Sequence, residues 1–199
     1  MATRKFGLKS GETVVEVKDL HPLKRTKAIN IKGETPPLLV ALDKKDAEGK
    51  PVAIEIKIPA DLKSPLVLII PDAKHPTGVR PFVLEDNTAN FKWGTIRVLN
   101  ATGKAAMMKV DTKVAQLPVT WSPVDIDPGG AARNVGVQAA MKDKPAEILY
   151  SAVWEHSPDI RELVIVVPGT NVRTGALDFK VIPENRKVAE AEAASEREP

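Results

Sequence analysis

The chain has no cysteine among its 199 residues. That one absence removes disulfide frameworks, thiolate metal sites and thiol nucleophiles together. Aromatic residues are scarce, at 4%, so a core has to be filled chiefly by Val, Ile and Leu. No apolar run approaches the roughly 20 residues that cross a bilayer as a helix, so no membrane span is expected. The opening Met-Ala-Thr-Arg-Lys-Phe-Gly sets no apolar stretch behind its charges and reads as carrying no export signal. His21, His75 and His156 are the only histidines, and no two are close enough in sequence to chelate a metal.

Proline, by contrast, is plentiful: 17 of 199 residues, against a usual share of about 5%. Proline fits neither helix interiors nor central strands, so this excess predicts short strands joined by many loops. Hydrophobic residues at 43% and charged residues at 28% are ordinary for a folded soluble chain.

The net charge of +3 is unevenly spread. Residues 1–27 carry seven Lys/Arg against Glu12, Glu16 and Asp19, whereas from Glu184 onward three basic residues face five acidic ones. A basic front end can touch nucleic acid. Here the charges alternate with acids and no aromatic platform accompanies them, so nucleic acid is not the expected partner and lysine-guarded sheet edges are.

Two stretches echo each other. Residues 66–84 and 163–182, overlaid with residue 66 on residue 163, share Leu, Val, Pro, Thr, Gly and Phe without a gap. Each reads as a fully apolar strand, a loop ending in Thr-Gly (Thr77-Gly78 and Thr174-Gly175), and a returning strand. Residues 66–70 and 163–167 are apolar throughout, as strands covered on both faces would be.

Further strands are expected at residues 13–17, 27–32 and 38–42. Residues 52–58 give the cleanest alternation in the chain. In the second half, residues 95–99 and 105–110 are expected to form a hairpin around Asn100-Ala-Thr-Gly103, followed by strands at 133–138 and 147–154. Residues 118–130 hold three prolines, Trp121 and a terminal Pro-Gly-Gly, and read as a loop. Some ten short strands without a long amphipathic helix mean an all-β protein. The echo predicts two tandem, related β-sandwich units, at 1–90 and 91–184, and residues 185–199 read as a disordered, acidic C-terminal tail.

Candidate chemistry is thin. Ser151, His156 and Asp159 invite a triad reading, but they share one strand and its turn and lack a Gly-x-Ser-x-Gly elbow. His156, in a polar turn, is expected to be exposed or bonded to backbone. Asp125 and Asp127 are the better calcium candidates, though neither follows the spaced ladder of a calcium loop. No other metal site and no cofactor is expected. Asn100-Ala-Thr102 fits the glycosylation pattern, yet a tight turn wants Asn for backbone reasons alone. Among the tryptophans, Trp154 alternates in phase with the core, Trp93 precedes a strand, and Trp121 lies in the proline-rich segment where functional loops occur. Trp121, Trp93 and His156 are therefore the candidate binding residues.

Gly94-Thr-Ile-Arg-Val-Leu-Asn100, Tyr150-Ser-Ala-Val-Trp154 and Arg161-Glu-Leu-Val-Ile-Val-Val-Pro168 resemble a family of uncharacterised exported bacterial all-β, Ig-like proteins. The resemblance covers roughly residues 66–183 and rests on structural motifs. It implies a periplasmic or secreted setting and no known activity; the missing signal segment keeps the cytoplasm open. The expectation is a non-enzymatic binding or assembly protein with a protein or cell-envelope component as partner. Its surface would lie at residues 118–130 and the turn at 155–159. The alternative is a carbohydrate-binding module that uses exposed tryptophans.

Overall fold

Val52, Ile54, Ile56 and Ile58 alternate along the chain with Ala53, Glu55 and Lys57. In the computed structural model the first set is buried or half-buried and the second is exposed. A pleated strand sends successive side chains to opposite faces, so this pattern builds a sheet with one face covered. Residues 4–31, 36–170 and 176–195 are described by the structure. Over them the chain forms β1 (Phe6–Ser10), β2 (Thr13–Val17), β3 (Leu38–Lys45), β4 (Pro51–Glu55), β5 (Pro65–Pro71), β6 (Val79–Glu85) and β7 (Ile96–Asn100). Then come β8 (Ala106–Val110), β9 (Lys113–Leu117), β10 (Val124–Ile126), β11 (Arg133–Met141), β12 (Tyr150–His156), β13 (Ile160–Pro168), β14 (Leu177–Asn185) and α1 (Arg186–Ser195). The protein is all-β, and its chain divides into two units, Met1–Asn90 and Phe91–Pro199.

In the first unit the strands run β2-β1-β3-β4, and β5 and β6 form a separate two-stranded ladder. Phe6, Leu39, Ala41, Ile56 and Val79 are buried together, with Val67 and Ile69 of β5 packed against them. The β5–β6 hairpin thus covers the inner face of the four-stranded sheet. Residues 27–31 take no strand; Ile29 and Ile31 instead line a groove beside Leu8 and Val15.

The second unit is a two-layer sandwich. One sheet runs β10-β7-β13-β14 and the other β12-β11-β8-β9. Ile96, Val98, Val164 and Val166 of the first sheet meet Met108, Val110, Val135 and Val137 of the second in one core. Fully burying aliphatic side chains of this kind stabilises by about 1.5–3 kcal/mol each, which makes this core the main term holding the unit.

Both apolar echoes form hairpins, β5 with β6 and β13 with β14, but they are not equivalent. β13 lies between β7 and β14, and Arg161, Leu163, Val164 and Val166 are buried in it. β5 pairs on one side alone, so residues 66–70 are half-buried rather than covered on both faces. Thr174 and Gly175 lie outside the described residues.

Three further expectations are corrected. β7 and β8 make no hairpin, because they belong to opposite sheets. The turn between them is an arch across the sandwich, built around buried Asn100. Its Nδ2 donates to the Lys104 and Leu117 carbonyls at 2.7 and 2.9 Å, and its Oδ1 accepts from the Thr102 amide and hydroxyl at 3.0 and 2.7 Å. The glycosylation pattern therefore falls on an amide spent inside the fold. Within residues 118–130, Val124–Ile126 is a strand that pairs with β7. Residues 186–195, read as disordered, form α1 with none of its residues buried. Asn185 caps it by accepting from the Lys187 amide at 2.9 Å, and the alanine-rich sequence suits a helix.

Replacing Asn100 by Ala takes the side-chain donor from the buried Leu117 carbonyl, while the Thr102 hydroxyl still reaches the carbonyl of exposed Lys104. Each buried group left unsatisfied costs about 1–3 kcal/mol. Urea denaturation should show a loss of roughly 1–3 kcal/mol for Asn100→Ala, and a loss within about 0.5 kcal/mol would remove Asn100 from its place as the keystone of the arch.

Candidate binding surfaces of the second unit

The sandwich has two sides where the sheets end, and they differ. On one, β9 closes its sheet and the chain then crosses to β10 at the edge of the other. Between these edges lies a cleft of about 270 Å³ lined by Lys113, Val114, Ala115, Asp125, Ile126 and Asp127. Trp121 sits in the crossing, half-buried and held at φ +60°. A bulky side chain rarely adopts that left-handed backbone, so the surrounding chain imposes it.

The segment beyond Trp121 is pinned rather than loose. Arg97, buried on β7, donates from Nε and Nη2 to the two carboxylate oxygens of Asp125, both at 2.7 Å. The two residues face each other directly in the β7–β10 ladder. Asp127 accepts from the Gly129 amide at 2.8 Å, and Arg133 ties the Pro-Gly-Gly turn to Asp111 through bonds to Asp111 and the Pro128 carbonyl. Asp125 and Asp127, the calcium candidates, are thus engaged with a guanidinium and a backbone amide.

The other side is closed by aromatic rings. Tyr150 and Trp154 on β12 meet Phe179 on β14, with centroids 4.1 and 5.7 Å from it. The Trp154 indole also donates to the Tyr150 hydroxyl at 2.9 Å. Trp154 packs half-buried against the core, as its alternation predicts.

A belt of charge occupies the face of the β10-β7-β13-β14 sheet turned away from the core. In the parallel β7–β13 ladder Leu163 stands beside Arg97 and Val164 beside Val98. Alternation therefore puts Arg97, Leu163 and Arg161 on the face opposite Val98 and Val164. Phe91, fully buried, lies under both guanidiniums, 4.4 Å from that of Arg97 and 4.9 Å from that of Arg161. Arg161 also donates to the Phe91 carbonyl at 3.1 Å and pairs with Glu184. Trp93 has the Arg161 and Arg186 guanidiniums over its ring, at 5.0 and 5.9 Å. A sugar ring would have to displace those cations from the indole face.

His156 is not an exposed turn residue. It ends β12 on the inward face, 5% exposed, and its Nε2 has no hydrogen-bond partner among the described residues. The alternation through Trp154 carries two residues further than the polar look of the turn suggests. Gly94, at φ +80°, permits this packing, because a Cβ there would lie 3.3 Å from the Pro158 Cα and 3.7 Å from the imidazole.

The Ser151–His156–Asp159 grouping does not assemble. Ser151 points outward from β12 while His156 points inward, and Asp159 faces Arg186 at 3.6 Å. Among the described residues, no three His, Asp or Glu side chains are placed to hold a metal ion. The site residues that sequence reasoning missed are Phe91, Arg97, Arg161 and Glu162. An arginine and a glutamate at the mouth of the apolar run in β13 were the available signal. No protein-family model matches the chain, and no curated protein matches it.

Glu162 stands beside Ile96 and Pro183 in the two ladders, and burial pushes its carboxyl up to about 7 from 4.5. The folded state holds that proton more tightly than the unfolded chain, so stability falls as pH rises from about 4.5 to 7 and stays lowered above. Glu162→Gln removes the penalty. It should stabilise at pH 8 by an amount on the order of 2–3 kcal/mol and do nothing at pH 4, as denaturant titrations at the two pH values would show. An equal effect at both would mean that the carboxylate carries no penalty.

The buried Arg161–Glu184 pair makes a different prediction. Exchanging both for leucine should cost about 1–3 kcal/mol, the effect of orphaning the buried Phe91 carbonyl, since apolar replacement of the ion pair itself is often neutral. It should also cost the unique strand register, visible as doubled or broadened amide resonances in β13. A single sharp set would show that the pair does not set the register.

Proposed function

We propose that the protein is a non-enzymatic binding or assembly protein, and that its second unit is an Ig-like sandwich engaging a protein or cell-envelope component at the β9–β10 cleft. The observation that carries this reading is the anatomy of that cleft. Val114, Ala115 and Ile126 line it with aliphatic groups and Lys113, Asp125 and Asp127 with charged ones, and Val114 is 58% exposed there. Protein interfaces likewise join apolar contact area to polar groups. The segment is also held in place by Arg97 and Arg133, and a pre-ordered surface spends less entropy on binding. The bacterial envelope or secreted setting is supported by the family resemblance alone.

A photo-crosslinking amino acid at Val114, compared with one at Gly49 in the exposed turn before β4, tests the reading in cells. A discrete adduct from Val114, absent from Gly49 and lost when Asp127→Lys reverses a charge of the cleft, is the expected result. Adducts of the same kind from both positions, or from neither, would defeat it. Binding on a glycan array abolished by Trp121→Ala would instead establish the carbohydrate-binding alternative.

A further inference from the structure

We propose that β12 is a self-pairing edge, through which two copies of this chain join antiparallel to make one continuous eight-stranded sheet. The inference does not depend on the cleft, which lies at the opposite edge of the same sheet.

β12 is bonded to β11 on one side, and no strand among the described residues is bonded to the other. Such an edge presents a row of unused amides and carbonyls, and proteins blunt it with lysine, proline, brevity or a bulge. Other edges here show those devices. β9 begins with Lys113, β10 has three residues between Pro123 and Pro128, and β14 carries Lys180 and Pro183. β12 runs seven residues, Tyr-Ser-Ala-Val-Trp-Glu-His, in unbroken register with β11 and without lysine, arginine or proline.

Its side chains add to the case on both faces. Val153 points outward and is 69% exposed, beside Gly136 of β11. A Cβ on Gly136 would meet nothing, so no packing within the unit requires glycine there. On the inward face Tyr150 and Trp154 remain half-buried, and no strand among the described residues pairs beyond them.

The strand's own sequence indicates a second copy as the occupant. A two-fold axis through Val153 sets Glu155 against Ser151 of the other copy, Trp154 against Ala152, and His156 against Tyr150. No like charges face each other, Trp154 meets the small Ala152 and Glu155 the small Ser151, His156 meets Tyr150 as one ring beside another, and the two Val153 side chains meet on the axis. The outward positions nearest the axis are Val153, then Ser151 and Glu155, with Asn134, Gly136 and Gln138 on β11; Glu155 is the one charge among them, and it faces Ser151 of the other copy. Of the two other edges with exposed valines, β9 carries Val114 but opens on Lys113, and β2 lies in the basic first 27 residues, which repel a copy of themselves.

Sedimentation of the full chain over a wide concentration range should give a reversible dimer of twice the 21.5 kDa chain mass. Val153→Lys should give a monomer with an unchanged circular dichroism spectrum, and a melting temperature that no longer rises with protein concentration and equals that of the dilute wild-type chain. The absence of native cysteine supplies a second arm. Val153→Cys should form a disulfide-linked dimer under mild oxidation far faster than Val114→Cys, which is also exposed on an edge strand. A wild-type chain that stays monomeric up to millimolar concentration, a Val153→Lys chain that still dimerises, or equal cross-linking at both positions would each overturn the proposal. A hetero-partner at β12 would appear as the first of these outcomes, and the Val114 adduct reports on the cleft whichever way this test falls.

Discussion

The second unit depends on the parallel pairing of β7 with β13, its first strand and its last but one. Residues more than sixty positions apart must find each other before the sandwich closes, and such non-local closure is entropically expensive and slow. Once made, it sets Arg97 and Arg161 on one face with Phe91 beneath both. The flanking strands then supply the countercharges, Asp125 from β10 and Glu184 from β14. Two positive centres side by side would repel. The ring quadrupole between them and an acid at either end turn the arrangement into a neutral belt.

That closure also determines which parts of the unit are left to meet other molecules. The sheets are sealed along their length by aliphatic packing and at one side by the Tyr150–Trp154–Phe179 cluster. What remains is backbone at the edges and the seam where the chain changes sheets. In an all-β unit those are the places where hydrogen-bonding capacity is unspent, which is the physical ground for the two proposals, strand addition at one edge and docking at the seam cleft at the other. The polar groups grouped by the belt are, by contrast, already bonded to one another, and their chemistry goes into holding strands.

The sequence made some of this legible and hid the rest for identifiable reasons. The alternation in residues 52–58 was readable because one face of that strand is covered and the other is wet. Trp154 was readable for the same cause. The β7–β8 arch was not: Asn-Ala-Thr-Gly offers the turn residues of a hairpin, and what sends the chain across the sandwich is Asn100 reaching the Leu117 carbonyl, a contact seventeen positions away. The apolar runs at 66–70 and 163–167 look alike locally, yet neighbours on one side or two decide their burial. His156 was misread because the residues around it are polar, while its place in the alternation with Trp154 outweighs them. α1 was missed because a helix with no apolar face gives no periodic signal, although Asn185 was a visible cap.

β13 poses a problem that its apolar residues cannot solve. A half-buried strand is held in register by its hydrophobic pattern, since a slip of one residue turns the oily set to water. Leu163, Val164, Ile165, Val166 and Val167 are oily on both faces, so a slip there exchanges one aliphatic face for another at little cost. The neighbouring Arg161 and Glu162 break that degeneracy. A one-residue slip would swing the Arg161 guanidinium toward Ile96 and the core and strip it of Glu184, leaving an unpaired buried charge, which costs on the order of 3–5 kcal/mol. We read the charged belt as the register lock of a strand whose core cannot lock itself. The same reading accounts for Glu162 tolerating a half-buried place that pushes its carboxyl up to about 7. It is the residue left on the inner face when Arg161 takes the outer one, and its penalty is smaller than the slip that the arrangement forbids.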